Sequence, residues 1–170
     1  MLSSCDPLDR LRGLRVADVM SRSVVAIPSH ATLCNAAETL TGGGASGGPV
    51  VDESGRCIGM LSSRDYLRHY AAGCQAVAAP GSACASAEAT CAADLMASAV
   101  QSIEAGASLL RAARIMCMQH VHRLVVLDER SAPVGVLTTL DIVSALLAVA
   151  DEQRQELSRN ANGRKAKGVV

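Results

Sequence analysis

Two copies of one short motif carry the side chains of this chain that could do chemistry. Residues 59–65 read Gly-Met-Leu-Ser-Ser-Arg-Asp, and residues 135–141 read Gly-Val-Leu-Thr-Thr-Leu-Asp. A Ser or Thr followed three residues later by an acid is typical of a helix start. The hydroxyl satisfies a free backbone N–H, and the acid favours the positive end of the helix. Taken singly, each copy predicts a helix cap.

The acid in both copies is Asp rather than the Glu or Gln of the usual capping box, and we expect its shorter side chain to reach back to the cap less well. An ionised Asp can instead accept two hydrogen bonds from a ligand such as a ribose diol. Gly59 and Gly135 would let a ligand approach the backbone, and free N–H groups at the helix start suit a phosphate. The motif therefore predicts a ligand site at a strand-to-helix corner.

The two motifs belong to a longer internal repeat with an offset of 76 residues. The segment Asp-Val-Met at 18–20 recurs as Asp-Leu-Met at 94–96, and Val-Val-Asp-Glu at 50–53 recurs as Val-Leu-Asp-Glu at 126–129. The same offset relates the two copies of the Gly-to-Asp motif, without insertion. Chance does not keep one register across separate segments, so the chain is built from two copies of one unit.

Hydrophobic periodicity gives both units the order β-α-β-β-α. The predicted elements are an extended piece (Val24–Ile27; Val100–Ile103), a helix (from Thr32 to about Leu40; around Leu109–Cys117), two strands (Pro49–Val51 and Cys57–Leu61; Leu124–Leu127 and Val134–Leu137) and a helix opening at Ser63 or Thr139. This order predicts an α/β (α+β) fold with mixed sheets covered by helices. A unit of about 50 residues is marginal alone, so the repeats should pack as a pseudo-twofold pair.

Composition shifts predict the domain boundaries: an N-terminal segment (1–13), repeat 1 (14–72), an Ala/Gly/Ser-rich linker (73–89), repeat 2 (90–149) and a polar tail (150–170). The linker is centred on Pro80-Gly81, a strong turn signal. We expect residues 151–159 to extend the last helix and the chain from Asn160 onward to be disordered.

Composition excludes several functional classes. The 170 residues carry no net charge, and the aromatic side chains are Tyr66 and Tyr70. The chain therefore lacks a basic field for nucleic acid or anionic lipid, and it lacks an aromatic stacking platform. The apolar run Ile142–Ala150 is far shorter than the ~20 residues of a membrane span, so we expect no membrane insertion. Seven cysteines, an odd number without a Cys-x-x-Cys pair or a signal peptide, favour reduced thiols and a cytoplasmic location.

Taken together, the repeats resemble a known family. Two units, each with Asp-x-Met near its start, a Val-x-Asp turn and Gly-x-x-Ser/Thr-x-x-Asp at its end, resemble the pair of cystathionine-β-synthase-type (CBS) repeats called a Bateman module. The resemblance covers residues 14–148. It implies a regulatory module that binds an adenine nucleotide (AMP, ADP or ATP) between the repeats, with S-adenosylmethionine or an NAD-type ligand less favoured. It also implies a homodimer and a regulated partner protein, and it implies no required cofactor.

Carried over by position, the resemblance implies two ligand sites. One comprises Met60, Ser62 and Asp65 with Ala99, Val121, His122 and Arg123; the other comprises Val136, Thr138 and Asp141 with Ser23, Ala45 and Ser46. Family members place basic side chains just before the middle strand, facing the phosphates. Repeat 2 has His122-Arg123 there, whereas repeat 1 has Ser46-Gly47 after the glycines 42–44. We therefore expect unequal sites, with the Asp65 site better equipped; a backbone anion nest at the glycines is the alternative.

Three other functions compete with this one. A nucleotide-independent interaction module would explain the missing basic residues of repeat 1. A thiol redox or metal protein would use Cys117, His120 and His122, but a zinc site needs about four ligands and no fourth is nearby in sequence. For an enzyme, no nucleophile-base-acid series has local support, and Gly42–Gly48 lacks the Lys and Ser/Thr of a phosphate-binding loop. We therefore expect no catalytic residue and no metal site.

Overall fold

The computed structural model describes residues 7–76 and 90–166. The first part comprises α1 (Pro7–Gly13), α2 (Val16–Val19), β1 (Ile27–Pro28), α3 (Leu33–Gly42), β2 (Gly47–Val51), β3 (Cys57–Ser62) and α4 (Ser63–Ala76). The second comprises α5 (Ala92–Leu95), β4 (Ser102–Glu104), α6 (Leu109–Gln119), β5 (Arg123–Leu127), β6 (Pro133–Thr138) and α7 (Thr139–Ala166). The predicted β-α-β-β-α order is confirmed in both repeats.

Each repeat builds a three-stranded sheet, in the order β1-β2-β3 or β4-β5-β6. In the first sheet β1 runs parallel to β2 and β3 runs antiparallel to it, so that Val50 faces both Ile27 and Gly59. In the second sheet β4 runs parallel to β5, with Ile103 opposite Val126. The central strands are almost fully buried, which explains their continuous apolar sequences. The predicted α+β fold class is confirmed.

The helix before each central strand follows from a cap and an apolar stripe. Thr32 accepts a hydrogen bond from Asn35 N at 3.3 Å, and the equivalent Ser108 accepts one from Arg111 N at 3.2 Å. Both residues are therefore N-caps. The helices bury side chains at the spacing of one helix face, namely Leu33, Ala36 and Leu40 in α3 and Leu109, Ala112 and Met116 in α6.

The glycine run after α3 ends that helix. Gly44 adopts φ +63°, Gly44 N donates to Thr41 O at 3.0 Å, and Ala45 N donates to Leu40 O at 2.8 Å. These two bonds define a Schellman cap, in which a residue in the left-handed region turns the chain back on the helix. Since the helix carbonyls occupy these N–H groups, the anion-nest alternative lacks its donors.

The two repeats exchange equivalent contacts, as a pseudo-twofold pair requires. Backbone bridges join Arg15 to Ser108 and, by the 76-residue offset, Thr32 to Cys91. A second pair of bridges joins Ser21 to Val136 and Met60 to Ala97. Arg15 is equivalent to Cys91 by the 76-residue offset, and Thr32 is equivalent to Ser108. The second pair of bridges is related in the same way. This reciprocity is the signature of an isologous contact.

Two compact units cut across the repeats. Of the described residues, the helical unit combines 7–20, 105–123 and 137–166, and the sheet unit combines 21–76, 90–104 and 124–136. In the helical unit α1 packs against α6 and α7, and the Arg10 guanidinium contacts Glu152 at 3.0 Å and Glu156 at 2.6 Å. In the sheet unit a buried core gathers Ile27, Ala36, Leu40, Val50, Leu61 and Ala92.

The last helix is longer than predicted. It runs without interruption to Ala166, so the expected disorder from Asn160 is wrong for residues 160–166. The helix α4 also continues to Ala76, into the predicted linker, whose remaining residues 77–89 lie outside the described part of the chain. Between residues 7 and 76 and between 90 and 166, no helix has both the length and the apolar character needed to cross a membrane.

Candidate functional site

The first motif lies at the corner between β3 and α4. The Asp65 Oδ2 accepts hydrogen bonds from Ser62 N at 2.9 Å and from Ser62 Oγ at 2.6 Å. The Asp65 side chain is 13% exposed, and its other oxygen, Oδ1, lies 4.0 Å from Arg68 Nη1. The corner therefore holds a fixed, partly buried carboxylate with one oxygen outside the cap.

The second motif forms the same arrangement at the start of α7. The Asp141 Oδ2 accepts hydrogen bonds from Thr138 N and Thr138 Oγ1, each at 2.7 Å. The Thr138 hydroxyl in turn accepts a bond from Asp141 N at 3.3 Å. Two corners of different sequence thus use the same oxygen of the same residue in the same way.

These bonds correct one expectation and sharpen another. The expectation that Asp reaches the cap less well is wrong, because both motif carboxylates close the cap with short bonds. A hydroxyl has one proton, and here it is donated to the carboxylate. The Ser62 and Thr138 hydroxyls can therefore accept a hydrogen bond from a ligand, whereas the Oδ1 atoms of Asp65 and Asp141 supply the negatively charged acceptors.

The glycine of the first motif has a packing role. A Cβ at Gly59 would overlap the Met96 side chain. The expectation that Gly59 lets a ligand approach the backbone is therefore wrong, since the thioether fills that space. The recurring Asp-x-Met segment is explained by the same contact and by a cap, because Asp94 Oδ2 accepts a bond from Cys91 N at 3.0 Å.

The sheet unit brings several predicted residues together. Met60 and Ala97 exchange two backbone hydrogen bonds of 2.9 Å, which brings Met60 close to the segment that contains Ala99. Ser63 N donates to Ser46 O at 2.9 Å, so Ser46 lies beside Ser62 and Asp65, whereas the prediction grouped it with Thr138 and Asp141. Further along the unit Val136 pairs with Ser21, two residues before Ser23.

The helical unit contains five of the predicted residues, namely Val121, His122, Arg123, Thr138 and Asp141. Thr139 N donates to the His122 carbonyl at 3.0 Å, which brings His122 beside the Thr138–Asp141 corner. Ala45 belongs to the cap after α3 in the sheet unit. The grouping of His122 and Arg123 with Asp65 joins residues of different units and stays a prediction.

A cavity of about 300 Å³ lies next to the second corner, within the helical unit. It is lined by Met116, Cys117, His120, Val121, His122 and Thr139. The cavity combines apolar walls with two imidazoles and the first residue of α7, at the positive end of the helix dipole. It is large enough to accept part of a small-molecule ligand.

Two residues near the motifs were not among the predicted ligand residues. Arg68 lies near Asp65 because residues three apart share a helix face, and this spacing was a signal present in the sequence. His120 lines the cavity from the turn after α6. Its position was not predictable from its spacing to the motif, because the turn conformation brings it there.

Cysteine and histidine chemistry finds little support in the structure. Among the residues described, no group of three or more His, Cys, Asp or Glu side chains could hold a metal ion. Cys34 and Cys117 are exposed free thiols, and Cys57 and Cys91 are partly buried. Burial raises the pKa of the Cys57 thiol, which makes that cysteine less reactive.

Two further titratable groups serve the fold. A side-chain hydrogen bond from Ser54 and a backbone hydrogen bond from Arg56 N lower the pKa of Asp52 to about 2 in the turn between β2 and β3. Burial raises the pKa of Tyr66, whose hydroxyl donates to Leu33 O at 2.9 Å. Both contacts join elements of the first repeat.

The comparison with protein families assigns both repeats. The model of the CBS domain matches residues 16–72 and 92–148, which is more than half of the chain. Each matched segment contains one Gly-to-Asp motif and one of the two corners. No curated protein matches the chain.

Solved structures share the fold. The CBS domain pair of protein MJ0100 in complex with 5′-methylthioadenosine and S-adenosylmethionine superposes with a TM-score of 0.66, at 20% identity over 79% of this chain and 97% of that one. CBSX2 in complex with AMP superposes with a TM-score of 0.67 and is 23% identical, over 81% of this chain and 99% of that one. Hypoxic Response Protein I with two coordinated zinc ions superposes with a TM-score of 0.63 and is 25% identical, over 77% of this chain and 98% of that one.

Proposed function

The chain belongs to the CBS domain family, and from this premise we propose that it is a regulatory module that binds an adenine nucleotide and signals its presence to a partner protein. The observation that carries the proposal is the pair of capped carboxylates, Asp65 and Asp141, each with Oδ2 tied to the cap and Oδ1 outside it. A carboxylate oxygen held in this way is a preorganised acceptor for a ribose hydroxyl.

The ligands of the related structures support a site for adenosine. AMP, S-adenosylmethionine and 5′-methylthioadenosine differ at the 5′ position but share the adenine and the ribose diol. The capped carboxylate and the accepting hydroxyl suit that shared part. The 5′ group must then be selected by other side chains, for which the histidines and arginine at 120–123 are the best candidates in the helical unit.

The two sites are proposed to differ in strength. The predicted Asp65 site takes Met60, Ser62, Ala99, Val121, His122 and Arg123, and the predicted Asp141 site takes Val136, Thr138, Ser23, Ala45 and Ser46. The Asp65 Oδ1 is partly neutralised by Arg68 at 4.0 Å, whereas the residue at the equivalent position of repeat 2 is Ser144. For a ligand with a phosphate, Arg68 favours the Asp65 site, because it offers a cation at the first corner.

We also propose that the module binds its ligand without catalysing a reaction and requires no cofactor. We place it in the cytoplasm. CBS domain pairs are generally regulatory modules. A ligand shifts the conformation of such a module only if it binds one conformation better than another. The partner therefore has to read a difference between the nucleotide-bound and the free module.

A homodimer is the form in which we expect the module to act. On α7 the exposed residues Leu140, Val143 and Leu147 follow helical spacing, and Leu140 is 74% exposed. On α4 the exposed Leu67 and Tyr70 stand at positions equivalent to Val143 and Leu146. Each of these helices therefore leaves apolar side chains uncovered, which suits a contact with the same helix of a second copy.

Light scattering of Leu140→Glu and Leu147→Glu variants tests this part of the proposal. Wild-type protein should have the mass of a dimer and both variants should have the mass of a monomer. The variant Gln153→Glu, which adds the same charge at an exposed position of the same helix outside the apolar stripe, should stay dimeric. A monomeric wild type would contradict the homodimer.

Thermal unfolding with AMP, ADP, ATP, NAD and S-adenosylmethionine tests the ligand. At a concentration 100 times its dissociation constant, a ligand of the folded state stabilises it by about 2.7 kcal/mol. For a chain of this length that corresponds to a rise of roughly 5–10 °C in the midpoint. Folded, ligand-free protein whose midpoint moves with none of the five compounds would contradict the proposal and favour a nucleotide-independent interaction module.

A further inference from the structure

The outer face of α6 presents large apolar and basic side chains together. Leu110 and Met118 are 47% and 69% exposed, and Arg111 and Arg114 are exposed between them. Leu110, Arg114 and Met118 follow each other at intervals of four residues, so they form one ridge of about 12 Å along the helix. The ridge points away from the side through which α6 packs into the core.

The two arginines of this face have no acidic neighbour. Among the described residues, neither Arg111 nor Arg114 forms a salt bridge, whereas Arg10, Arg56 and Arg68 each lie within 4.0 Å of a carboxylate oxygen. The helix α6 itself contains two arginines and no acid, which gives it a formal charge of +2. An exposed guanidinium of this kind can contact a carboxylate through two parallel hydrogen bonds.

The equivalent face of α3 in repeat 1 has a different character. By the 76-residue offset, the same four positions carry small, polar or acidic residues: Cys34, Asn35, Glu38 and Gly42. The buried positions of both helices are apolar. Packing of this helix on its sheet therefore does not require an apolar and basic outer face, and only repeat 2 has one.

Resting on the partner protein of the proposed function, we propose that this face of α6 is its docking surface and that the partner contributes an acidic amphipathic helix. A ridge at intervals of four residues fits the groove between the side-chain rows of another helix. Carboxylates of the partner contact Arg111 and Arg114, and its apolar side chains cover Leu110 and Met118. One short helix face buries less than the roughly 1,200 Å² of a stable interface, so the contact is reversible.

The docking surface adjoins the cavity of the helical unit. Cys117 lies on the exposed side of α6, two helical turns from Leu110, and also lines the cavity. A partner helix on this face therefore contacts the same helix that forms part of the cavity wall. A ligand that moves the last turn of α6 changes the surface that the partner contacts.

The test is selection of peptides from a phage-displayed library of amphipathic helices, with folded wild-type protein as the target. Fluorescence anisotropy then gives the affinity of the selected peptides for wild type, Arg114→Glu and Leu110→Gln. Asn35→Glu is the matched control, because it places the same carboxylate on the equivalent face of repeat 1. All three substitutions are at exposed positions, so the variants should unfold at the wild-type midpoint.

The selected peptides should be enriched in Asp and Glu, and they should bind Arg114→Glu at least about tenfold more weakly, because like charges then face each other. Leu110→Gln should also weaken binding, and Asn35→Glu should bind as wild type does. Selected peptides without acidic enrichment, or with equal affinity for wild type and Arg114→Glu, overturn the inference.

Two controls separate this surface from other functions of the chain. Light scattering should give Arg114→Glu the same mass as wild type; a smaller mass would assign the face to a contact between copies and overturn the inference. Arg114→Glu should bind AMP as wild type does. A wild type that binds no AMP refutes the proposed function, whereas the docking surface is decided by the peptides alone.

Discussion

Replacing Asp141 by Asn separates the two roles of the motif carboxylate. Both cap bonds, from Thr138 N and Thr138 Oγ1, end on one oxygen, Oδ2. An Asn side chain can place its single oxygen there and keep both bonds, but it then presents an NH₂ group where Oδ1 was. The cap should survive, because a neutral acceptor loses about 1 kcal/mol or less relative to a charged one. A ribose hydroxyl, in contrast, loses its charged acceptor.

The expected loss of affinity follows from that missing acceptor. Hydrogen bonds to charged groups contribute about 1.5–3 kcal/mol, so Asp141→Asn should weaken AMP binding at its site by roughly tenfold to 150-fold. Asp141→Ala removes the cap as well, and it should also lower the free energy of unfolding by about 0.5–2 kcal/mol. The two substitutions should thus agree in binding and differ in stability.

Urea unfolding and calorimetric AMP titration of both variants provide the two readouts. Asp18→Asn is the matched control, since Asp18 Oδ2 caps α2 through Arg15 N at 2.8 Å and is not a predicted ligand residue. That variant should bind AMP as wild type does. Wild-type affinity at both sites in Asp141→Asn would refute the reasoning, because the carboxylate would then act as a helix cap alone.

Three further predictions concern the fold around the sites. Gly59→Ala should lower the free energy of unfolding by about 1–3 kcal/mol through overlap with Met96, and the added substitution Met96→Ala should restore part of the loss in denaturant titrations. Cys57 should react with iodoacetamide more slowly than the exposed Cys117, as followed by mass spectrometry, since burial raises the Cys57 pKa; equal rates would contradict this. The Asp52 carboxyl should titrate near pH 2 by NMR; because its pKa is lowered on folding, its contribution to stability is complete above about pH 4 and is lost as the pH falls through 2.

The order of the elements was predictable from the sequence because it depends on local patterns. Thr32 and Ser108 mark helix starts, and the apolar residues behind them keep a helical period that buries one face. Because the two repeats are related by a constant offset of 76 residues, each element assigned in one repeat predicted the equivalent element in the other. Continuous apolar segments bounded by turn residues gave the central strands to within two residues.

The chemistry of individual side chains was less accessible, because it depends on contacts between distant residues. The role of Gly59 is decided by Met96, which approaches it from another segment of the chain. Whether the Asp65 side chain reaches the Ser62 N–H depends on the geometry of the corner between β3 and α4. Residue preferences in capping boxes do not describe that geometry. His120 reaches the cavity from a backbone conformation with positive φ, which is typical of glycine. At this position of the repeat the sequence has a glycine only in repeat 1, where it is Gly44.

Calorimetric titration of ligand-free wild-type protein with AMP tests the central claim most directly. We expect saturable binding of AMP at two sites per chain, one of which is weakened by Asp65→Asn and the other by Asp141→Asn. Absence of saturable binding in folded protein, or binding that neither substitution alters, would contradict the assignment of the two carboxylates to the nucleotide ribose.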